Sequence, residues 1–138
     1  MRHTLLAALM VAVAAPAFAQ QASPTLSVEL GETVTARIAD DGFVEISRAR
    51  GAAEGERAEN TVRFTFTSMN NMLVLQTENG YGQAFDYRAR MFRGRRGTDT
   101  SICTVLPRIA TFEAWGDPIE RLELREPRLS DNPQPGCR

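Results

Sequence analysis

The sequence TVRFTFT at residues 61–67 decides the fold class, because apolar and polar residues alternate along it without interruption. Val62, Phe64 and Phe66 occupy every second position. Side chains of a β-strand point alternately to its two faces, so this stretch is typical of a strand with one face buried. The same alternation recurs outward along the chain, with turn residues at intervals of roughly ten residues. The sequence predicts an all-β domain, an antiparallel β-sandwich or small barrel of seven or eight short strands.

The turn Asp-Asp-Gly at residues 40–42 separates two such alternating stretches. A three-residue bulged turn with Gly42 at positive φ would set Ile38 opposite Val44, so that apolar side chains face each other. A two-residue loop at Asp-Gly would instead set Ile38 opposite Glu45. The match of faces favours the three-residue turn.

Asn-Gly at residues 79–80 is the strongest hairpin signal in the chain. As a two-residue loop it would pair Val74 with Phe85 and Met72 with Tyr87. Apolar side chains would then meet across the two strands, as in a stable antiparallel pair. The sequence therefore predicts a hairpin at this position.

The remaining segments divide into two loops, two further strands, and residues 107–115, whose apolar positions suit either a helical turn or a strand. Residues 51–60 and 93–100 are rich in glycine and charge, which predicts exposed loops. Residues 101–106 form a short apolar stretch and indicate a strand. Residues 119–126 indicate the last strand, which we expect to stop before Pro127.

The N-terminus has the three parts of an export signal. Residues 1–19 contain a basic start, an apolar stretch too short to span a bilayer, and an Ala-x-Ala site ending at Ala19. We therefore expect residues 1–19 to be a cleaved signal peptide and residues 20–138 to form a single β-rich domain. This domain is expected in the periplasm or the medium, with no membrane span in the mature chain.

The two cysteines fit an exported protein. Cys103 and Cys137 form an even pair, and paired cysteines in an oxidising compartment are typically bridged. A disulfide between them would hold the Pro-rich tail at residues 131–137, which otherwise has no apolar residue to anchor it. A redox role is less favoured because the spacing is not Cys-x-x-Cys.

The most restrictive feature is what the chain lacks. It contains no Lys, and its one His, His3, lies within the predicted signal peptide. A Ser-His-Asp or Cys-His catalytic system would lack its base, and a Schiff-base enzyme would lack its amine. A histidine-ligated metal site would lack its imidazoles. We therefore expect no metal site and no cofactor, and the composition favours a non-catalytic protein over an enzyme.

Carboxylates remain as possible catalytic groups. A pair of acidic residues could hydrolyse a glycoside, so a small carboxylate-dependent hydrolase is the alternative function. No motif singles out a pair, and acidic residues on strands and turns usually form solvated surface. The candidates are Asp40, Asp41, Glu45, Asp86, Glu113, Glu120 and Glu123.

An arginine-rich stretch is the most distinctive local feature. Five arginines fall within nine positions, and we treat them as a candidate anion site because guanidinium binds phosphate and carboxylate in bidentate fashion. The opposing interpretation is a solvated strand and loop whose charge prevents edge-to-edge pairing. Counting in twos also sends Phe92 to the outer face beside these arginines. The five arginines are Arg88, Arg90, Arg93, Arg95 and Arg96.

Together these features predict a non-catalytic binding or structural module of the cell envelope. The expected partner is an envelope protein or an anionic polymer that contacts the arginine-rich strand and loop. Nucleic acid is not expected as a partner, because the protein is predicted to be exported and its charges nearly balance, with 16 basic and 17 acidic residues.

Overall fold

A computed structural model describes residues 20–52 and 54–138 of the chain. The predicted signal peptide at residues 1–19 lies outside the described residues. Within the described part, the chain forms nine β-strands and no helix. In chain order they are β1 (Thr25–Glu29), β2 (Glu32–Ala39), β3 (Gly42–Arg50), β4 (Val62–Met69), β5 (Met72–Asn79), β6 (Ala84–Arg93), β7 (Arg96–Thr100), β8 (Ala110–Trp115) and β9 (Arg121–Ser130).

The strands form two antiparallel sheets, which confirms the all-β prediction. One sheet has five strands in the order β3-β2-β4-β5-β8, and the other has four in the order β1-β9-β6-β7. Side chains from both sheets meet in one hydrophobic core. The prediction of seven or eight strands was too low, because a short strand, β7, lies within residues 93–100, where a loop was expected.

The core follows directly from the alternation in β4. Val62, Phe64 and Phe66 are fully buried, as the period of two predicts. The ring of Phe64 lies edge-on to Tyr87 of the opposite sheet, with centroids 5.5 Å apart, and Tyr87 stacks on Phe85 at 5.0 Å. Offset and edge-on contacts of this kind stabilise aromatic cores beyond the area they bury.

The hairpin of β2 and β3 has a different register from the predicted one. Its turn is the two residues Asp40 and Asp41, and Ile38 lies opposite Phe43 rather than Val44. The irregularity occurs inside the strands, between Thr35 and Ala36, rather than at the turn. Gly42 does adopt positive φ, as expected.

The predicted hairpin at residues 79–80 is wrong. β5 pairs with β4 and β8, whereas β6 pairs with β7 and β9, so the chain passes from one sheet to the other after Asn79. Gly80 fits this crossing because a Cβ there would lie 2.2 Å from the carbonyl oxygen of Ala58. Close backbone approach, and not a tight turn, explains this glycine.

The side chain of Asn79 stabilises the segment in which the chain passes from one sheet to the other. It is fully buried, and its amide nitrogen donates to the carbonyl oxygens of Gln83 at 2.8 Å and Val105 at 3.1 Å. Its amide oxygen accepts the backbone N–H of Tyr81 at 2.9 Å. A buried amide with all these partners holds the connecting segment in one conformation.

The C-terminal third departs from the prediction at two places. Residues 101–106 form isolated bridges instead of a strand, with Cys103 opposite Cys137 and Val105 opposite Phe85. β9 continues through Pro127 to Ser130, beyond the predicted end at residue 126.

The disulfide between Cys103 and Cys137 is confirmed. Backbone hydrogen bonds join Ile102 to Arg138 in both directions and Thr104 to Gly136, so the tail is held beside residues 102–104. Disulfides persist in oxidising compartments, so this bridge indicates a location outside the cytoplasm.

We expect Asn79→Ala to lower the free energy of unfolding by about 3 kcal/mol, because it leaves the buried N–H of Tyr81 without its partner and removes hydrogen bonds to the carbonyl oxygens of Gln83 and Val105, of which the second keeps the N–H of Phe85. Urea denaturation measures this loss. Asn132→Ala is the matched control, since Asn132 is exposed, and its effect should stay within about 0.5 kcal/mol. Equal stability of the two variants would contradict a structural role for Asn79.

Candidate functional site

The β6–β7 hairpin carries the arginine-rich stretch. Arg93 and Arg96 are paired directly across the hairpin, and the turn between them consists of Gly94 and Arg95. Gly94 has a φ of 57°, as required at the first central position of a type II′ turn, where glycine is favoured. The hairpin lies at the edge of the four-stranded sheet, since β7 is the last strand. We call Arg93, Arg95 and Arg96 the tip arginines.

The five predicted arginines do not form one cluster. Arg88 contacts Glu126 at 3.0 Å, and Arg90 lies 3.9 Å from Asp99 and donates to the carbonyl oxygen of Gly97 at 3.3 Å. These two arginines therefore already have partners within the protein. Anion binding by the five residues stays a prediction, and the geometry narrows it to the tip arginines.

The tip arginines are exposed and close to one another. Among the residues that the structure describes, no carboxylate lies within 4.0 Å of any of their guanidinium groups. Like charges directly opposite on two strands destabilise the pair, so the facing of Arg93 and Arg96 is unfavourable for folding. An external anion would relieve this repulsion.

Phe92 lies on the outer face of the sheet, in agreement with the period-two count. The guanidinium of Arg121 lies 4.0 Å from its ring centroid and that of Arg90 lies 5.8 Å from it. Gly97 is its cross-strand partner, and a Cβ at Gly97 would come within 2.8 Å of the ring. The aromatic ring therefore covers this glycine and holds two cations beside the tip.

A groove runs beside the tip at this end of the sandwich, with a volume of about 310 Å³. One wall is formed by the β6–β7 hairpin, and the other by residues 117–119 of the connection between β8 and β9. We call this the end groove. Its lining residues are Met91, Phe92, Arg93, Arg96, Thr98, Asp117, Pro118 and Ile119. Sequence reasoning missed this groove because its two walls are about twenty residues apart in the chain.

The candidate carboxylates are spread over both sheets and several are already engaged. Asp86 accepts a hydrogen bond from the hydroxyl of Thr104 at 2.5 Å, and Glu113 accepts one from the backbone N–H of Cys103 at 2.9 Å. These two acids therefore help to hold the segment beside the disulfide. Glu120 accepts the backbone N–H of Gly94 at 3.2 Å. Glu45 pairs with Arg48, and this hydrogen bond is the main cause that raises the pKa of Arg48.

The described residues contain no group of three or more His, Cys, Asp or Glu side chains placed to hold a metal ion. No helix in residues 20–52 and 54–138 is long and apolar enough to cross a membrane.

Comparison with known proteins gives no relative. No protein-family model, no curated protein and no solved structure matches this chain.

Tyr87 gives a test of the core behind the candidate site. Burial raises the pKa of its phenol well above the ordinary value of 10.0, although its hydrogen bond with Thr77 opposes this shift. The phenol proton is then held more tightly in the folded state than in the unfolded state. Its contribution to stability is complete below pH about 10 and is lost as the pH rises above that value.

We expect the free energy of unfolding to fall by about 1 kcal/mol more between pH 10 and 11 in the wild type than in Tyr87→Phe. Denaturation in urea at each pH measures the difference. The same comparison between pH 7 and 8 is the internal control and should show no difference. Parallel pH profiles across the alkaline range would contradict burial of the phenol.

Proposed function

We propose that the protein is an exported, non-catalytic binding module that contacts an anionic partner in the cell envelope through the tip arginines. The observation that carries this proposal is the cluster of three exposed guanidinium groups that form no ion pair with any residue in the described part of the chain. The Cys103–Cys137 disulfide supports a location in an oxidising compartment, and the sequence of residues 1–19 supports export.

The hairpin is well suited to this role. Its strand register fixes Arg93 opposite Arg96, so both guanidinium groups can reach the same phosphate or carboxylate. Their planar forks match such anions in bidentate geometry, which a lysine could not reproduce. The core behind β6, built on Phe85 and Tyr87, keeps the strand rigid, and binding then costs little ordering of the backbone.

A site without catalytic groups can still bind its ligand specifically. An anion held by several arginines is bound mainly by electrostatics, so the affinity should fall steeply as salt is added. This salt dependence separates the proposed site from apolar adhesion, which salt does not weaken.

We expect the triple variant Arg93→Gln, Arg95→Gln and Arg96→Gln to bind an envelope fraction at least about tenfold more weakly at low salt. Polyphosphate serves as a defined anionic polymer in the same assay. Equilibrium co-sedimentation measures the first interaction, and fluorescence anisotropy measures the second.

A second triple variant is the matched control. It has the same total charge as the first triple variant, but its substitutions lie elsewhere on the surface. Arg37→Gln, Arg108→Gln and Arg128→Gln also removes three exposed cations, but none of them lies in the hairpin. This variant should bind within about twofold of the wild type. If both variants lose affinity equally, net charge and not the tip is responsible, and the proposal is wrong.

A further inference from the structure

The end groove indicates which kind of anion the tip would take, and this inference rests on the proposed function. We propose that the groove binds an amphipathic anion, a single alkyl or acyl chain that carries a phosphate or carboxylate head. The head would pair with Arg93 and Arg96, and the chain would lie between the hairpin and residues 117–119. A volume of about 310 Å³ is at the lower end of the range for small-molecule sites.

The strand register explains why arginines border an apolar groove. Ala89 and Met91 of β6 face the core, so alternation places Arg93 on the same inner face. Arg96 and Thr98 are the cross-strand partners of Arg93 and Met91, and they share this face. Arg93 and Arg96 therefore lie on the inner face of the hairpin, at the open end between the two sheets. Met91 is the next residue on this face of β6.

The opposite wall supplies the remaining apolar surface. Ile119 is buried in the core and Pro118 is exposed beside it. A second groove of about 520 Å³ shares Arg93 and residues 117–119 and continues to Leu30 and Leu73. Because the two grooves share these residues, an alkyl chain that continues past Ile119 would reach these two leucines, and its burial would add to the binding of the head.

The charges along the grooves favour a negative head at the hairpin. Asp117 is the one acidic residue in the lining of the end groove, against two arginines. Glu120 lines the second groove, but its carboxylate accepts the backbone N–H of Gly94 and is tied to the turn. Replacement of Asp117 by Asn should therefore strengthen binding of an anionic head.

The test compares three defined probes by isothermal titration calorimetry on the full exported domain. Dodecyl phosphate below its micelle concentration carries both chain and head, inorganic phosphate carries only the head, and dodecyl maltoside carries the chain without charge. We expect dodecyl phosphate to bind at least about tenfold more tightly than either of the others. Equal affinity for dodecyl phosphate and inorganic phosphate would overturn the inference.

Two single variants test the contributions of the alkyl chain and of the anionic head to binding separately. Thr98→Trp places a large side chain in the end groove from an exposed position on the edge strand. It should weaken binding of dodecyl phosphate at least about tenfold and leave the affinity for polyphosphate unchanged. Asp117→Asn should strengthen binding of dodecyl phosphate about threefold and leave the affinity for dodecyl maltoside unchanged. Circular dichroism and the melting temperature verify that both variants fold.

The outcomes distinguish this inference from the proposed function. If binding of polyphosphate requires the tip arginines but Thr98→Trp does not weaken binding of dodecyl phosphate, the groove inference is wrong and the proposed function stands. If the triple tip variant binds every anion like the wild type, the proposed function fails as well. Binding to phosphatidylglycerol vesicles without binding of monomeric dodecyl phosphate would assign the tip to a membrane surface and overturn the groove inference.

Discussion

The buried amide of Asn79 is the constraint on which the arrangement of the two sheets depends. It lies at the end of β5, fully enclosed, and bonds to backbone groups on both sides of the passage between the sheets. A buried amide that lost these partners would cost more free energy than most apolar contacts contribute, so the chain has one favourable course here. β5 must therefore end in one sheet and β6 must begin in the other.

This passage determines where the candidate site lies. Because β6 does not pair with β5, it lies between β9 and β7, and its far end projects beside the connection from β8 to β9. The tip arginines and residues 117–119 become neighbours only through this topology. A simple hairpin after β5 would have placed Arg93 in the five-stranded sheet, away from Pro118 and Ile119.

The alternation of residues predicts local structure well and long-range pairing poorly. It correctly places Val62, Phe64 and Phe66 in the core, because the two faces of a strand follow from backbone geometry alone. It fails at residues 79–80, because an Asn-Gly pair is favoured both in a tight turn and where a buried amide and a glycine allow close approach. The choice between these uses depends on Ala58 and Val105, which are far away in the chain.

Pro127 shows the same limit in a strand. A proline was expected to end β9, since it cannot donate a hydrogen bond to the sheet. The register between β6 and β9 shifts at this place, and Arg88 pairs with Arg125 whereas Asp86 pairs with Arg128. Pro127 falls inside this irregularity, where no donor is required, so the strand continues past it.

Side-chain chemistry was more predictable than position. The lack of lysine, and of histidine beyond His3, limits cation chemistry in the described residues to guanidinium, which is too basic to act as a general base near neutral pH but binds oxyanions well. That limit follows from composition alone: it removes imidazole and amine side chains from the described residues but leaves their carboxylates. Which arginines remain available depends on tertiary partners, since Glu126 engages Arg88 and Asp99 lies closest to Arg90. The tip arginines have no carboxylate partner among the described residues, and they lie beside a groove lined by Met91, Pro118 and Ile119, so tertiary structure rather than sequence singles them out among the arginines.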